Sequence, residues 1–219
     1  KPDTFGVMGK IVENTAEEKI QDGAKYPAVT AKGIKGSYNY IALENPENKW
    51  LPSFFLSGAN ALIDREKLLQ LGGFDEIYAP YYYEDADLGL RAWRVGWKCY
   101  FEPKAVCMHE LSSTISKEKK EKVKVVIEKN KIIVNNLHLD KLSLYFFNCW
   151  LLVRCFPSLF TNDKSIYKAI KLFNESKTAL HQSKERLKSL QLKNNAALSS
   201  RQVKKEILSL IAGIEIKIF

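Results

Sequence analysis

Residues 54–114 leave a chain like this few ways to fold. They read FFLSGANALIDREKLLQLGGFDEIYAPYYYEDADLGLRAWRVGWKCYFEPKAVCMHELSST. Within them, Tyr83-Glu84-Asp85-Ala86-Asp87 puts three acids in four positions, after a run of tyrosines and before a helical pattern. Leu88, Ala92 and Val95 then fall at i, i+4 and i+7 and make one apolar face. The acids open this helix, Arg91 and Arg94 lie toward its end, and Gly96 follows, an order that suits the helix macrodipole and a glycine terminator. Residues 97–101 read as a strand, Pro103 as a turn, and residues 105–108 as a brief last strand running into His109.

Upstream, residues 5–12 form a short apolar run that reads as a buried strand. Residues 13–50 are punctuated by Gly23, Pro27, Gly33, Gly36 and Pro46 and read as loops with a short hairpin. Residues 54–63 read as a second strand, carrying the small-residue patch Ser57-Gly58-Ala59-Asn60-Ala61. Asp64 is a plausible N-cap for a helix over 65–71, which Gly72-Gly73 would end. Strands alternating with helices mark an α/β layer architecture. A Gly-rich phosphate loop and an early strand–helix–strand unit are both missing from it.

Charge divides the chain. Residues 1–115 carry 13 Lys+Arg against 16 Asp+Glu, and residues 116–219 carry 21 against 9, for a formal net charge of +9. The acidic part holds the candidate site, and the basic part is drawn to something anionic. Residues 117–131 read as a charged helix. Residues 142–160, LSLYFFNCWLLVRCFPSLF, form an apolar-rich run interrupted by Asn148, Arg154 and Pro157. An arginine deep in a bilayer costs about 2.5–3.5 kcal/mol, so the run reads as an interfacial helix or one docked on the core rather than a spanning one. Residues 164–219 read as two basic helices divided around 194–200. Cys99, Cys107, Cys149 and Cys155 form no C-x-x-C pair, and reduced buried thiols are expected.

The acids have two readings. Helix capping and the macrodipole account for one or two of them, each contributing under about 1 kcal/mol when exposed. A third adds like-charge repulsion, tolerated best where a cation or a substrate hydroxyl compensates. Asp85-Ala86-Asp87 is not a D-x-D metal motif, because on one helix start the two point in different directions. His109 alone is weak as a ligand and gains weight from its place after a strand, where α/β sites lie. The tyrosines suit sugar stacking or plain burial.

Taken together, Ser57-Gly58-Ala59-Asn60-Ala61, Gly72-Gly73-Phe74-Asp75-Glu76, Tyr83-Glu84-Asp85-Ala86-Asp87-Leu88 and the segment from Pro103 to His109 resemble the second half of family 2 glycosyltransferases of the GT-A fold. The likeness is to the rhamnosyltransferase-like, cell-surface polysaccharide type. It covers about residues 1–135, and Glu128-Lys129-Asn130-Lys131 resembles the segment after the family's metal histidine. The resemblance implies a partial GT-A (nucleotide-diphospho-sugar transferase-like) domain over 1–135, with a basic, membrane-interfacial α-helical extension over 136–219. It implies a general base at Asp85, an acceptor-side acid at Glu84, a helix-start acid at Asp87, and donor-sugar contacts at Gly58 and Ala59, with Asp87 and Tyr83 also counted among the substrate-binding residues. His109 would help hold a divalent metal, Mg2+ or Mn2+. Partners would be a nucleotide-sugar donor, a glycan or lipid-linked acceptor and a membrane surface.

The family's nucleotide-binding half and its D-x-D acids belong upstream of Phe5. The expectation is therefore the acceptor-side half of a larger inverting, metal-dependent enzyme, inactive by itself, its other half upstream or on a separate chain. The opening Lys-Pro-Asp-Thr has no signal-peptide pattern, which points to a cytoplasmic chain, peripheral at the inner membrane face, or to one whose beginning is missing. The competing reading is a non-catalytic subunit with a degenerate transferase fold that binds membrane or nucleic acid. The basic part lacks the Arg/Gly or aromatic-interleaved pattern of nucleic-acid binders, and its apolar run suits membrane better.

Overall fold

A computed structural model of the chain describes residues 2–13, 19–36, 38–44, 49–108 and 119–219. Strand β1 (Thr4–Val12) lies inside the main sheet. It pairs in parallel with β9 (Lys98–Met108) and antiparallel with β2 (Ile20–Asp22) and β8 (Ala61–Ile63). Strand β7 (Leu51–Pro52) adds to the far side of β9. Phe5, Met8, Ile11 and Val12 of β1 are all buried, as an inner strand of a covered sheet requires.

Pro103 does not split the last strand. β9 runs on past it, and the register against β1 slips between Gly9 and Lys10, where Glu102 gives way to Val106. This bulge absorbs the residue that cannot donate to the ladder. Residues 54–60 are irregular rather than a strand, and only β8 continues the sheet there. The punctuated region holds more order than its sequence implies. β3 (Ala24–Lys25) pairs with β6 (Asn39–Ala42), and β4 (Ala28–Thr30) forms a hairpin with β5 (Gly33–Lys35). Strands this short show no periodicity to read.

Helix α1 (Arg65–Leu71) is capped by Asp64, which accepts from Lys67 N at 3.0 Å, and ends at Gly72 in the left-handed conformation. Helix α2 (Glu84–Arg94) is more deeply set than one apolar stripe implies: every residue from Ala86 to Trp93 is buried. At Gly89 its backbone closes on Phe55, and an added Cβ would lie 2.4 Å from that residue's Cβ. Only glycine allows this approach.

Helix α3 (Lys120–His138) runs through residue 135 without a break. Helix α4 (Lys141–Cys155) opens on Asp140, which accepts from Ser143 N at 2.9 Å, and a single turn, α5 (Pro157–Phe160), follows. No helix among the described residues is long and apolar enough to cross a membrane. The basic tail forms three helices: α6 (Ser165–Glu175), α7 (Lys177–Lys193) and α8 (Ser200–Leu210). The break around 194–200 is present, with a capping box of Ser199 and Gln202 opening α8. Leu180, Leu187, Val203 and Ile207 enter the same core as Phe5, Phe54 and Trp93. β10 (Ile216–Ile218) then pairs with β6, so the chain's end returns to the sheet side. All four thiols are free, and Cys149, expected inside, stands exposed on α4.

Candidate active site

The loop before α2 sets the site. Tyr82 and Tyr83 both hold left-handed backbone, at φ 70° and 74°, which costs bulky residues roughly 1–3 kcal/mol each. Two residues of α3 hold that loop from below. Asn130 Nδ2 donates to the carbonyls of Tyr78, Tyr81 and Tyr82 at 2.6, 2.8 and 2.9 Å. Lys129 Nζ donates to those of Ile77 and Ala79 at 3.1 and 3.0 Å. Carbonyls that a loop would otherwise leave unpaired in the interior are thereby satisfied.

The first turn of α2 hangs from this support. Asp85 accepts from Ala86 N at 2.7 Å. Burial first, then the neighbouring Glu84 carboxylate, raises its pKa to about 6. Two clefts meet at Asp85 and Tyr82. One, of about 480 Å³, is lined by Lys25, Lys35, Lys131, Phe55, Tyr83 and Asp85. The other, of about 710 Å³, is lined by Gly58, Ala59, Tyr81, Glu84 and Asp85. Glu84 Oε2 and the Tyr81 hydroxyl are buried there with no hydrogen-bond partner among the described residues. Such orphaned atoms at a cleft wall are ready for a ligand's hydroxyls. Burial pushes the Tyr83 phenol up to about 12, so it stays a neutral hydroxyl beside Asp85.

The structure thus gathers Asp85, Glu84, Gly58 and Ala59 around one cleft, and Asp85 with Tyr83 around the other. Gly58 and Ala59 are exposed on the rim, with nothing within 4 Å of where a Gly58 Cβ would sit. Asp87 points away. It is fully buried, bonded to Arg91 Nε at 2.7 Å and His138 Nε2 at 2.8 Å, with the Tyr78 hydroxyl at 3.3 Å. Arg91 continues to the carbonyls of Leu71 and Gly73, both at 2.8 Å, and so ties α2 to the glycine turn. The Arg94 guanidinium faces His138 Nδ1 at 3.3 Å and can only donate, which leaves the Nε2 proton for Asp87. Arg91 holds the Asp87 carboxyl below its usual range against the pull of burial, and burial lowers His138.

His109 lies outside the described residues. Among the described residues no group of three His, Cys, Asp or Glu side chains is placed to hold a metal ion. Sequence reasoning singled out Glu128-Lys129-Asn130-Lys131 without giving Lys129, Asn130 or Lys131 a role, and it missed His138, Lys25 and Lys35. The available signal was polar residues breaking the apolar run of 125–134, where a helix face turns to hydrogen-bond a loop.

Residues 49–166, more than half of the chain, match the family described as "Glycosyl transferase family group 2". The chain is 27% identical over 129 residues to the N-acetylglucosaminyl-diphospho-decaprenol L-rhamnosyltransferase of two strains of Mycobacterium tuberculosis, a match covering 52% of this chain. It spans only 40% of the length of those relatives. Among solved structures, GalNAc-T7 crystallised with UDP, GalNAc and Mn2+ superposes with a TM-score of 0.50 at 15% identity, over 96% of this chain and 35% of that one. That likeness concerns the fold, an α/β sheet of the GT-A kind with a helical C-terminal part. The family match, the fold and the motif order agree, and the chain belongs to glycosyltransferase family 2.

Proposed function

We propose that this chain forms the acceptor-side part of an inverting glycosyltransferase in which Asp85 is the general base. The observation that carries this reading is the position of Asp85 where two clefts meet, with a pKa near neutrality. An acceptor hydroxyl is a poor nucleophile until a carboxylate takes its proton during attack, and a base near the working pH does this well. In the proposed reaction the acceptor oxygen bonds to the anomeric carbon as that carbon's bond to the nucleoside diphosphate breaks. The proton passes to Asp85, and the electron pair leaves with the diphosphate. One displacement from the face opposite the leaving group inverts the anomeric centre.

Gly58 and Ala59 flank the donor sugar in this reading, and Glu84 and Tyr81 take up substrate hydroxyls. A divalent cation, Mg2+ or Mn2+, would be held in part by His109 and would neutralise charge developing on the diphosphate, and no step here depends on it. The nucleotide site belongs to a further half, on the same or a separate chain. The relative's name supports an acceptor built on a lipid-linked sugar, in surface-glycan synthesis. Leu142, Tyr145, Phe146, Leu152, Val153 and Phe156 leave α4 and its end exposed and apolar, which favours peripheral attachment at the inner membrane face over nucleic-acid binding.

Asp85→Asn in the assembled enzyme tests the reading. Transfer from a nucleotide sugar should fall by about 10²–10⁴-fold with substrate affinity kept, and proton NMR of the wild-type product should show the inverted anomer. A variant that transfers at wild-type rate, or a retained anomer, refutes it.

A further inference from the structure

The lysine-lined cleft has a charge pattern that the reading above does not use. Lys25 is neutralised by its ion pair with Asp22 and a 3.0 Å hydrogen bond to Asn39. Lys35 donates to the Tyr38 hydroxyl at 3.3 Å and makes no ion pair among the described residues. Lys131 makes none there either. The acid closest to it in charge, Glu128, has both oxygens taken by Arg154 at 2.6 and 2.7 Å. Burial, then Arg154 and Lys35, lower the Lys131 pKa against the Glu128 carboxylate, which favours its charge. Two cations with no ion pair of their own in one cleft are stabilised when an anion joins them.

One of the cleft's lining residues, Lys131, also packs on α4. The Lys131 ammonium lies 4.7 Å from the centre of the Trp150 ring, and the Arg154 guanidinium packs on that ring at 4.8 Å. From Trp150, Phe146 lies one turn back and Val153 one turn on, 48% and 69% exposed. They belong to an apolar stripe at i, i+3, i+4, i+10, i+11 and i+14 from Leu142. Asp85 lines the same cleft. An anion on the lysines would therefore share the cleft with the base, and through Lys131 it would lie next to α4.

We propose that this cleft binds the diphosphate of a lipid-carried acceptor, with Lys35 and Lys131 on the phosphates, the acceptor sugar toward Asp85 and the lipid along the α4 stripe. The site rests on the transferase reading only for its role as acceptor side. Its volume of about 480 Å³ falls in the range of small-ligand sites, roughly 300–1,000 Å³.

The test is calorimetric titration of the 219-residue chain with farnesyl diphosphate, inorganic pyrophosphate, farnesol and UDP. Farnesyl diphosphate should bind more tightly than pyrophosphate or farnesol. Lys35→Gln and Lys131→Met, the latter keeping the stem over Trp150, should each weaken it by about tenfold, the loss of one charged hydrogen bond. Lys188→Ala, at an exposed site on α7, should leave it unchanged. The pair Phe146→Ser/Val153→Ser, at two exposed positions, should weaken farnesyl diphosphate and leave pyrophosphate alone. Three results overturn the proposal: cleft variants that bind like wild type, a Lys188→Ala loss of the same size, or equal affinity for pyrophosphate and farnesyl diphosphate. UDP binding that depends on the same two lysines assigns the cleft to the donor and also overturns it. Because binding is read without turnover, an Asp85→Asn enzyme that still transfers would refute Asp85 as the base and leave this result intact.

Discussion

At the scale of the residue, Asp85 is held in a state that costs the fold something. Its folded pKa of about 6 lies above the ordinary aspartate value of 3.8, so ionising it is harder in the native state than in the unfolded one. Stability from this group is present at low pH and is lost as pH rises from the unfolded value through about 6. Asp85→Asn should therefore be more stable than wild type at pH 7.5, by about 1–2 kcal/mol after discounting for partial exposure, or roughly 3–6 °C in Tm. Scanning calorimetry should show the gap closing below pH 4, where both side chains are neutral. A gap that persists there would mean that packing, not charge, separates the two. Asn130 acts one step removed, through the backbone that carries the base. Asn130→Ala removes the two N–H groups shared by the carbonyls of Tyr78, Tyr81 and Tyr82, the first of these bonds buried, and should cost about 2–4 kcal/mol in urea unfolding. If Asn130 only stabilised the fold, the enzyme's pH–rate profile would keep its shape; as a positioning residue, its loss should shift the acid limb.

At the scale of the element, α2 was legible and its supports were not. Acids first, arginines last and Gly96 beyond are local signals, and each has its counterpart in the helix. The register of β9 past Pro103 and the irregular path of 54–60 depend on partners far along the chain, so local pattern misreads them. The sequence already set Asp85 and Asp87 in different directions on the helix start, but not what each would meet. Their opposite fates follow from helix geometry: two residues along, Asp87 turns to Arg91 and His138 while Asp85 turns to the clefts. Removing one partner of a buried charged network leaves the others uncompensated, so Asp87→Ala should cost about 3–5 kcal/mol and should lower activity only through folding. His138, kept neutral by burial, contributes stability that is whole above the ordinary histidine value of 6.5 and is lost as pH falls through it. His138→Gln should flatten the urea midpoint between pH 7 and pH 5; an unchanged slope would place that titration elsewhere.

At the scale of the whole molecule, the basic tail is both charged surface and structural cover. Val203 and Ile207 are fully buried in the main core, and β10 closes on β6. Truncation before Ser200 removes them with Ile211 and should destabilise the remainder by about 5 kcal/mol or more, seen as a lost cooperative transition. Composition could announce the tail's charge but not its docking, because the apolar residues that dock it are sparse among lysines. The outward face of α4, exposed and apolar, is the other whole-molecule feature. The most direct test of the central claim is the pH dependence of kcat/KM for the assembled enzyme, wild type against Asp85→Asn. The wild-type rate should fall below a pKa of about 6, and the variant should lose both the rate and that limb. The same limb at near wild-type rate in Asp85→Asn would contradict it.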